Sequence, residues 1–169
     1  LGEECEHNLG RDGRDYLQRM KNAAVRMQTL IDDLLELSRV TTTGRPFTPV
    51  DLNVVTREVI SDLETTIEQV GGRIEIGELP ILEADSMQMR QLLQNLISNA
   101  LKFHRPDVPP VVEVQGSVIE HDTKRCCQIT VSDNGIGFDQ QYLDRIFAVF
   151  QRLHGRDQYD GTGVGLALC

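Results

Sequence analysis

Asn95 and Asn99 stand four residues apart in the run Asn95-Leu96-Ile97-Ser98-Asn99-Ala100-Leu101-Lys102-Phe103. On a helix that spacing puts both amides on one face. Neutral amide carbonyls there can ligate Mg²⁺, a hard cation that takes oxygen ligands and keeps several waters and substrate phosphates around it. Lys102 adds a cation near the same face. Taken alone, the run is better explained as a helix with two solvated or capping asparagines. A second stretch, Asp133-Asn134-Gly135-Ile136-Gly137-Phe138, follows the apolar run Ile129-Thr130-Val131. A carboxylate at a strand end can accept a hydrogen bond from an exocyclic amine such as that of adenine. The two glycines let the backbone approach a flat base or turn sharply. An ordinary Asp-Asn-Gly turn has the same residues. The third stretch is Gly161-Thr162-Gly163-Val164-Gly165-Leu166. Closely spaced glycines before a helix start expose backbone N–H groups that can cradle phosphates. No Gly-Lys-Ser/Thr follows, so it is not a Walker loop, and no strand directly precedes it as the dinucleotide fingerprint requires.

The elements that must position these residues are legible from periodicity. From about residue 14 to 40, Leu17, Met20, Ala24, Met27, Ile31 and Leu34 alternate spacings of three and four. Ala23, Leu30 and Leu37 widen that stripe, which suits a four-helix bundle better than a two-stranded coiled coil. One helix cannot bury such a face alone. Gly10-Arg11-Asp12-Gly13 reads as a turn before it, with Asp12 placed to cap the helix. The run Thr41-Thr42-Thr43-Gly44-Arg45-Pro46 breaks the periodicity and marks a domain boundary, dividing the chain into 1–44 and 45–169.

Beyond it, Thr48, Val50 and Leu52 alternate as a short strand. A second amphipathic helix is expected over 53–70, ended by Gly71-Gly72. Strands are expected at 73–76 and 81–83, and a third helix over 86–103, capped by Ser86. Two longer strands, 111–119 and 126–132, should be joined by a polar turn at 120–124, with a short helix over 139–147 after them. This mixture predicts an α+β fold: a two-layer sandwich with helices on one face of a mixed sheet, preceded by a long bundle-forming helix.

The bulk numbers are compatible with this. The 169 residues suffice for one ordinary domain plus a helical appendage, and 40 % apolar content supports a real core. Aromatics are only 5 %, without tryptophan, so the core is aliphatic. A net charge of -9 argues against non-specific nucleic-acid binding, although a local site can still hold a nucleotide. No apolar run reaches the ~20 residues of a membrane-spanning helix, so no membrane contact and a cytoplasmic location are expected for this piece, while a longer parent protein could still be membrane-anchored. Cys5, Cys126, Cys127 and Cys169 show no metal-ligand spacing and no disulfide framework, and read as free thiols.

Together, the three stretches, in this order, resemble the nucleotide site of the ATPase superfamily that groups histidine kinases, DNA gyrase, heat-shock chaperones and mismatch-repair proteins. Residues 95–103 are similar to its N box, 133–138 to its first glycine box and 161–166 to its second. Ile146-Phe147-Ala148-Val149-Phe150 resembles the F box of the kinases. Met27-Gln28-Thr29-Leu30-Ile31-Asp32-Asp33-Leu34-Leu35 resembles the second helix of their dimerisation hairpin. Phe150-Gln151-Arg152-Leu153-His154 is similar to phytochrome-like kinases. The resemblance therefore implies the catalytic part of a bacterial sensor histidine kinase, with ATP and Mg²⁺ as cofactors.

It further implies roles for particular residues. Asn99 would hold Mg²⁺ with Asn95 nearby, Lys102 would meet the phosphates, and Phe103 would pack on the nucleotide where many relatives carry Tyr. Asp133 would read the adenine amine, with Gly135 and Gly137 shaping the base pocket. Gly161, Thr162, Gly163, Gly165 and Leu166 would wrap the phosphates. Residues 151–160 would form a lid from which Arg152 reaches the γ-phosphate. The hydrolases of the superfamily carry a glutamate base four residues before the metal-binding asparagine. Here that position is Asn95, which points to phosphoryl transfer onto a protein. The implied partners are a second copy of the chain, bound through the N-terminal helix, and a response-regulator receiver domain.

The chain departs from the family pattern in two respects. None of His7, His104, His121 and His154 has the context of the phosphoacceptor histidine, so self-labelling is not expected. The chain also stops at Cys169 inside a helix that the family continues, which reads as a truncated catalytic domain. The competing readings are a degenerate interaction module, an anti-sigma-type serine kinase and an ATP hydrolase. Intact boxes oppose the first, the long bundle helix the second, and Asn95 the third.

Overall fold

The structure, a computed structural model, describes residues 10–42, 46–122, 124–151, 153 and 162–168. The chain separates into two compact units, Leu1–Arg39 and Val40–Cys169. The first is dominated by one long helix, α1 (Arg11–Thr42). It starts earlier than the Gly10-Arg11-Asp12-Gly13 turn suggests. Arg14 N donates to the Gly10 carbonyl at 3.1 Å, so Asp12 lies inside the first turn, where its charge meets the positive end of the helix dipole, and is not the cap. Polar pairs one turn apart line its surface, among them Arg19–Asp15 at 2.9 Å and Gln28 donating to Asp32 at 3.1 Å. Met20, Met27, Ile31 and Leu34 of the heptad stripe are all exposed.

The second unit holds the order β1 (Thr48–Asp51), α2 (Leu52–Asp62), α3 (Glu64–Val70), β2 (Arg73–Ile76), β3 (Ile81–Ala84), α4 (Ser86–Lys102), β4 (Val111–His121), β5 (Lys124–Asp133) and α5 (Leu143–Ile146). Short 3₁₀ turns lie at Gln140–Tyr142 and Gly165–Leu168. Strands β2, β4 and β5 form a mixed sheet in the order β2-β4-β5, parallel across β2/β4 and antiparallel across β4/β5. Strands β1 and β3 pair antiparallel as a separate two-stranded sheet.

The period-2 pattern explains why helices cover one face of the larger sheet. Val112 and Val114 are fully buried, and Ile74, Ile76, Ile129 and Val131 pack against them, while Arg73, Glu75, Glu113, Gln115, Thr130 and Ser132 face out. Leu52, Val55 and Val59 of α2 and Leu93, Ile97, Ala100 and Leu101 of α4 complete this aliphatic core. Each large side chain buried there contributes about 1.5–3 kcal/mol. Arg90 of α4 bridges Glu58 and Asp62 of α2 on the outer side. The fold is thus the expected α+β layer of helices on a mixed sheet.

Several local expectations are corrected. The stretch 53–70 is two helices, because Leu63 leaves helical geometry at φ −94°, ψ 3°. Asp85, not Ser86, caps α4: its carboxylate accepts from Met87 N at 2.9 Å. The polar turn at 120–124 is tighter, since pairing continues to His121 and Lys124. Asp122 makes that reversal at φ 48°, a conformation Asp tolerates better than most residues. The short helix of 139–147 is a 3₁₀ turn opened by Asp139 and followed by the four residues of α5. Cys126 and Cys127 are exposed free thiols on β5, and desolvation pushes the Cys127 thiol up.

Candidate functional site

Helix α4 is the backbone of the site. Asp85 starts it, and Leu93, Ile97, Ala100 and Leu101 turn one stripe into the core. Asn95, Asn99 and Lys102 fall off that stripe and are half-buried. The Asn95 side chain is fully engaged: Nδ2 donates to the Gly165 carbonyl at 3.0 Å and Oδ1 accepts from Gln91 Nε2 at 3.3 Å. The Asn99 side chain, one turn on, makes no hydrogen bond to another described residue. The Phe103 N–H closes the helix onto the Asn99 carbonyl at 2.9 Å. Lys102 Nζ lies 4.6 Å from the centre of the Phe103 ring, a cation–π distance.

At the C-terminal end of α4 the first glycine stretch is bound tightly. The Ile136 N–H donates to the Phe103 carbonyl at 3.0 Å. Gly135 N–H donates to Asp133 Oδ1 at 2.8 Å, and Arg105 Nε donates to the Gly135 carbonyl at 2.9 Å. A Cβ on residue 135 would meet the Phe103 carbonyl oxygen at 2.5 Å and Asp133 Oδ1 at 2.6 Å, so only glycine fits. Asn134 faces the other way: its Oδ1 accepts from Val111 N at 2.9 Å and its Nδ2 donates to the Pro109 carbonyl at 3.1 Å. Gly137 follows at φ 63°.

The second glycine stretch reaches the middle of α4. Gly163 sits at φ 77° and accepts from the Phe150 N–H at 2.9 Å; Phe150 is itself left-handed at φ 65°. Val164 is fully buried beside them. Gly165 opens the 3₁₀ turn and meets Asn95, while Thr162 and Leu166 are half-buried. The structure therefore brings Asn95 to Gly165, and Phe103 to Gly135 and Ile136, with Asn99 between them on the same helix. Arg152, Gly161, His7, His154 and nearly all of the expected lid lie outside the described residues.

Three contributors escaped sequence reasoning. Gln91 steadies Asn95, Asn134 anchors the first glycine stretch to the start of β4, and Arg105 holds the Gly135 carbonyl. Gln91 stands one turn before Asn95, a spacing that could have suggested the pair. Nothing in the sequence signals the reach of Arg105 across to residue 135.

Among the described residues, no three His, Cys, Asp or Glu side chains gather as a metal cage. The oxygen donors in reach of a divalent ion on α4 are amide carbonyls. That set fits Mg²⁺ arriving with phosphates better than Zn²⁺, which wants His and Cys. No helix of the described residues is long and apolar enough to cross a membrane.

Comparison with known proteins shows the family of the chain. Residues 84–169 match the family described as histidine kinase-, DNA gyrase B-, and HSP90-like ATPase. The chain is 40 % identical over 161 residues to the phytochrome-like protein Cph1 of Synechocystis, covering 95 % of this chain and 21 % of that protein. It is 38 % identical over 164 residues to cyanobacterial phytochrome A of Nostoc, covering 97 % and 21 %. It thus spans about a fifth of the length of these relatives. Among solved structures it is similar to full-length ShkA in complex with AMPPNP, with a TM-score of 0.69 and 27 % identity over 95 % of this chain and 33 % of that one. The Acinetobacter baumannii kinase AdeS shares the fold, with a TM-score of 0.65 at 20 % identity over 90 % of this chain and 68 % of that one.

Proposed function

The chain belongs to the histidine kinase-, DNA gyrase B- and HSP90-like ATPase family, in its histidine-kinase branch, and from that premise we propose that it binds Mg-ATP and passes the γ-phosphoryl group to a histidine on a dimerisation helix. In this reading 45–169 is the catalytic domain and 1–44 part of the dimerisation domain, working as a homodimer in the cytoplasm. The acceptor histidine lies outside this chain, and a response-regulator receiver domain takes the phosphoryl group onward.

The observation that carries the proposal is the double engagement of α4, by Gly165 at Asn95 and by Gly135 and Ile136 at Phe103. One helix thereby holds a phosphate-type glycine turn and a base-type glycine turn on either side of Asn99. In ShkA, the AMPPNP complex carries a nucleotide analogue in a related fold.

The residues then divide the work. Asp133 accepts from the adenine amine, and Gly135 keeps the loop close enough for it to do so. Phe103 offers an apolar surface to the nucleotide. Lys102 and the backbone N–H groups of 162–165 meet phosphate oxygens, and Arg152 reaches the γ-phosphate. Asn99 would hold Mg²⁺, which would supply charge neutralisation on the phosphates. Asn95 is an amide, with no basic atom to take a proton from water as the hydrolases' glutamate does, and its nitrogen donates to the Gly165 carbonyl instead. Phosphoryl transfer rests mainly on positioning and charge neutralisation, which this set provides without such a base.

Calorimetric titration with Mg-ADP tests the binding step, with micromolar affinity expected, or about 8 kcal/mol. Radiolabelled ATP supplied with and without a complete dimerisation hairpin tests the transfer step. Acid-labile label should appear on the hairpin and not on this chain. Label mapped to His7, His104, His121 or His154 would overturn the assignment of the acceptor.

A further inference from the structure

We infer that Arg105 is a positioning residue for base recognition, acting on Asp133 through the Gly135 peptide group. The inference rests on the nucleotide-site reading above and deepens it. The peptide between Gly135 and Ile136 is planar, so fixing its two ends fixes its orientation. Its carbonyl accepts from Arg105 Nε at 2.9 Å, and its N–H donates to the Phe103 carbonyl at 3.0 Å. Both partners come from the segment leaving α4, so one short stretch grips this peptide from both sides.

The preceding peptide continues the chain of contacts. Gly135 N–H donates to Asp133 Oδ1 at 2.8 Å, which orients the carboxylate. Asp133 Oδ2 accepts from no described residue, and the residue is exposed, so this oxygen is the one presented to an incoming amine. The grip leaves no slack on the other side, since a Cβ at 135 would collide with the Phe103 carbonyl and with Asp133 Oδ1. Of the two groups that grip the 135–136 peptide, Arg105 is the charged one, and a bond from a guanidinium to a carbonyl is stronger than a neutral one. Being exposed, Arg105 contributes little to the core, so its removal acts on the loop and not on the fold. Asn134 anchors the loop to β4 by separate bonds, which hold the scaffold when Arg105 is lost.

The test titrates the parent chain, Arg105→Ala and Arg105→Lys with Mg-ADP and with Mg-inosine diphosphate, whose base carries a carbonyl in place of the amine. The parent should prefer ADP. Arg105→Ala should bind ADP roughly tenfold more weakly, the size of one lost charge-assisted hydrogen bond, with inosine diphosphate little changed. The ADP preference therefore shrinks. Arg105→Lys should behave as Arg105→Ala, because a flexible ammonium does not reproduce the fixed Nε–H. Equal weakening of both nucleotides, an unchanged preference, or full recovery with Lys would each overturn the inference. A parent that fails to bind ADP, or that does not prefer it, would instead overturn the nucleotide-site reading and the inference with it.

Discussion

A methyl group added at position 135 would lie 2.5 Å from the Phe103 carbonyl oxygen, well inside van der Waals contact. Such packing constraints single out individual residues of the site from their neighbours. Asp133 spends one carboxylate oxygen on Gly135 and keeps the other. Asp133→Asn retains an oxygen for the Gly135 N–H but loses the negative charge. It should weaken Mg-ADP binding roughly tenfold or more while shifting the unfolding midpoint little. Equal affinity in the variant and parent, by calorimetry, would remove Asp133 from base reading. Asn99 behaves differently because no described residue uses its side chain. Asn99→Ala should leave measurable nucleotide binding yet abolish phosphoryl transfer to a supplied acceptor hairpin. Transfer persisting at the parent rate would show that the metal is held elsewhere.

At the scale of elements, helix starts decide where the site residues end up. Asp85 caps α4 and Asp51 caps α2, each accepting from backbone N–H groups of the first turn. The side-chain and then the backbone hydrogen bonds from Asn53 hold the Asp51 carboxyl below its ordinary value. A folded-state value below the unfolded one means that the carboxylate form is the stabilising one. Its contribution is present above about pH 4 and is lost as pH falls through the folded-state value. Asp51→Asn keeps an oxygen cap that cannot titrate. Its urea midpoint should therefore fall less steeply than the parent's as the pH drops below about 4. Parallel acid limbs would show that another carboxylate governs this region. The break at Leu63 belongs to the same scale: the dihedrals depart there, yet Leu63 N–H still donates to the Val59 carbonyl and Ile67 N–H to the Leu63 carbonyl, and Ile67 and Val70 of α3 pack against the core.

For the whole molecule, α1 poses the main question. Met20, Met27, Ile31 and Leu34 are exposed along it, and so are Val25 and Leu35. A stripe of this width needs neighbouring helices to leave water. The chain should therefore self-associate, with the weight-average mass in sedimentation equilibrium rising with concentration. Ile31→Asp should return it to a monomer without altering Mg-ADP affinity. A parent that stays monomeric at high concentration would mean that the stripe is completed by other sequence.

The amino-acid sequence by itself determined the class of the protein and the order of its elements, because periodicity is a local property. The heptad of α1, the alternation of β4 and the glycine spacing are all visible within windows of a dozen residues. Local signals also misled where two residues compete for one role. Asp85 and Ser86 both suit a helix cap, and only the backbone path gave that role to Asp85. The continuous apolar face of 53–70 hid the break at Leu63, since residues on both sides of it pack against the core. Tertiary structure alone decided the contacts that build the site. Asn95 meets Gly165 across seventy residues, and Arg105 meets Gly135 across thirty, because packing α4 on the sheet brings remote backbone groups into reach. A hydrogen bond between distant segments leaves no periodic trace in the chain; it exists only once the core has set their distance.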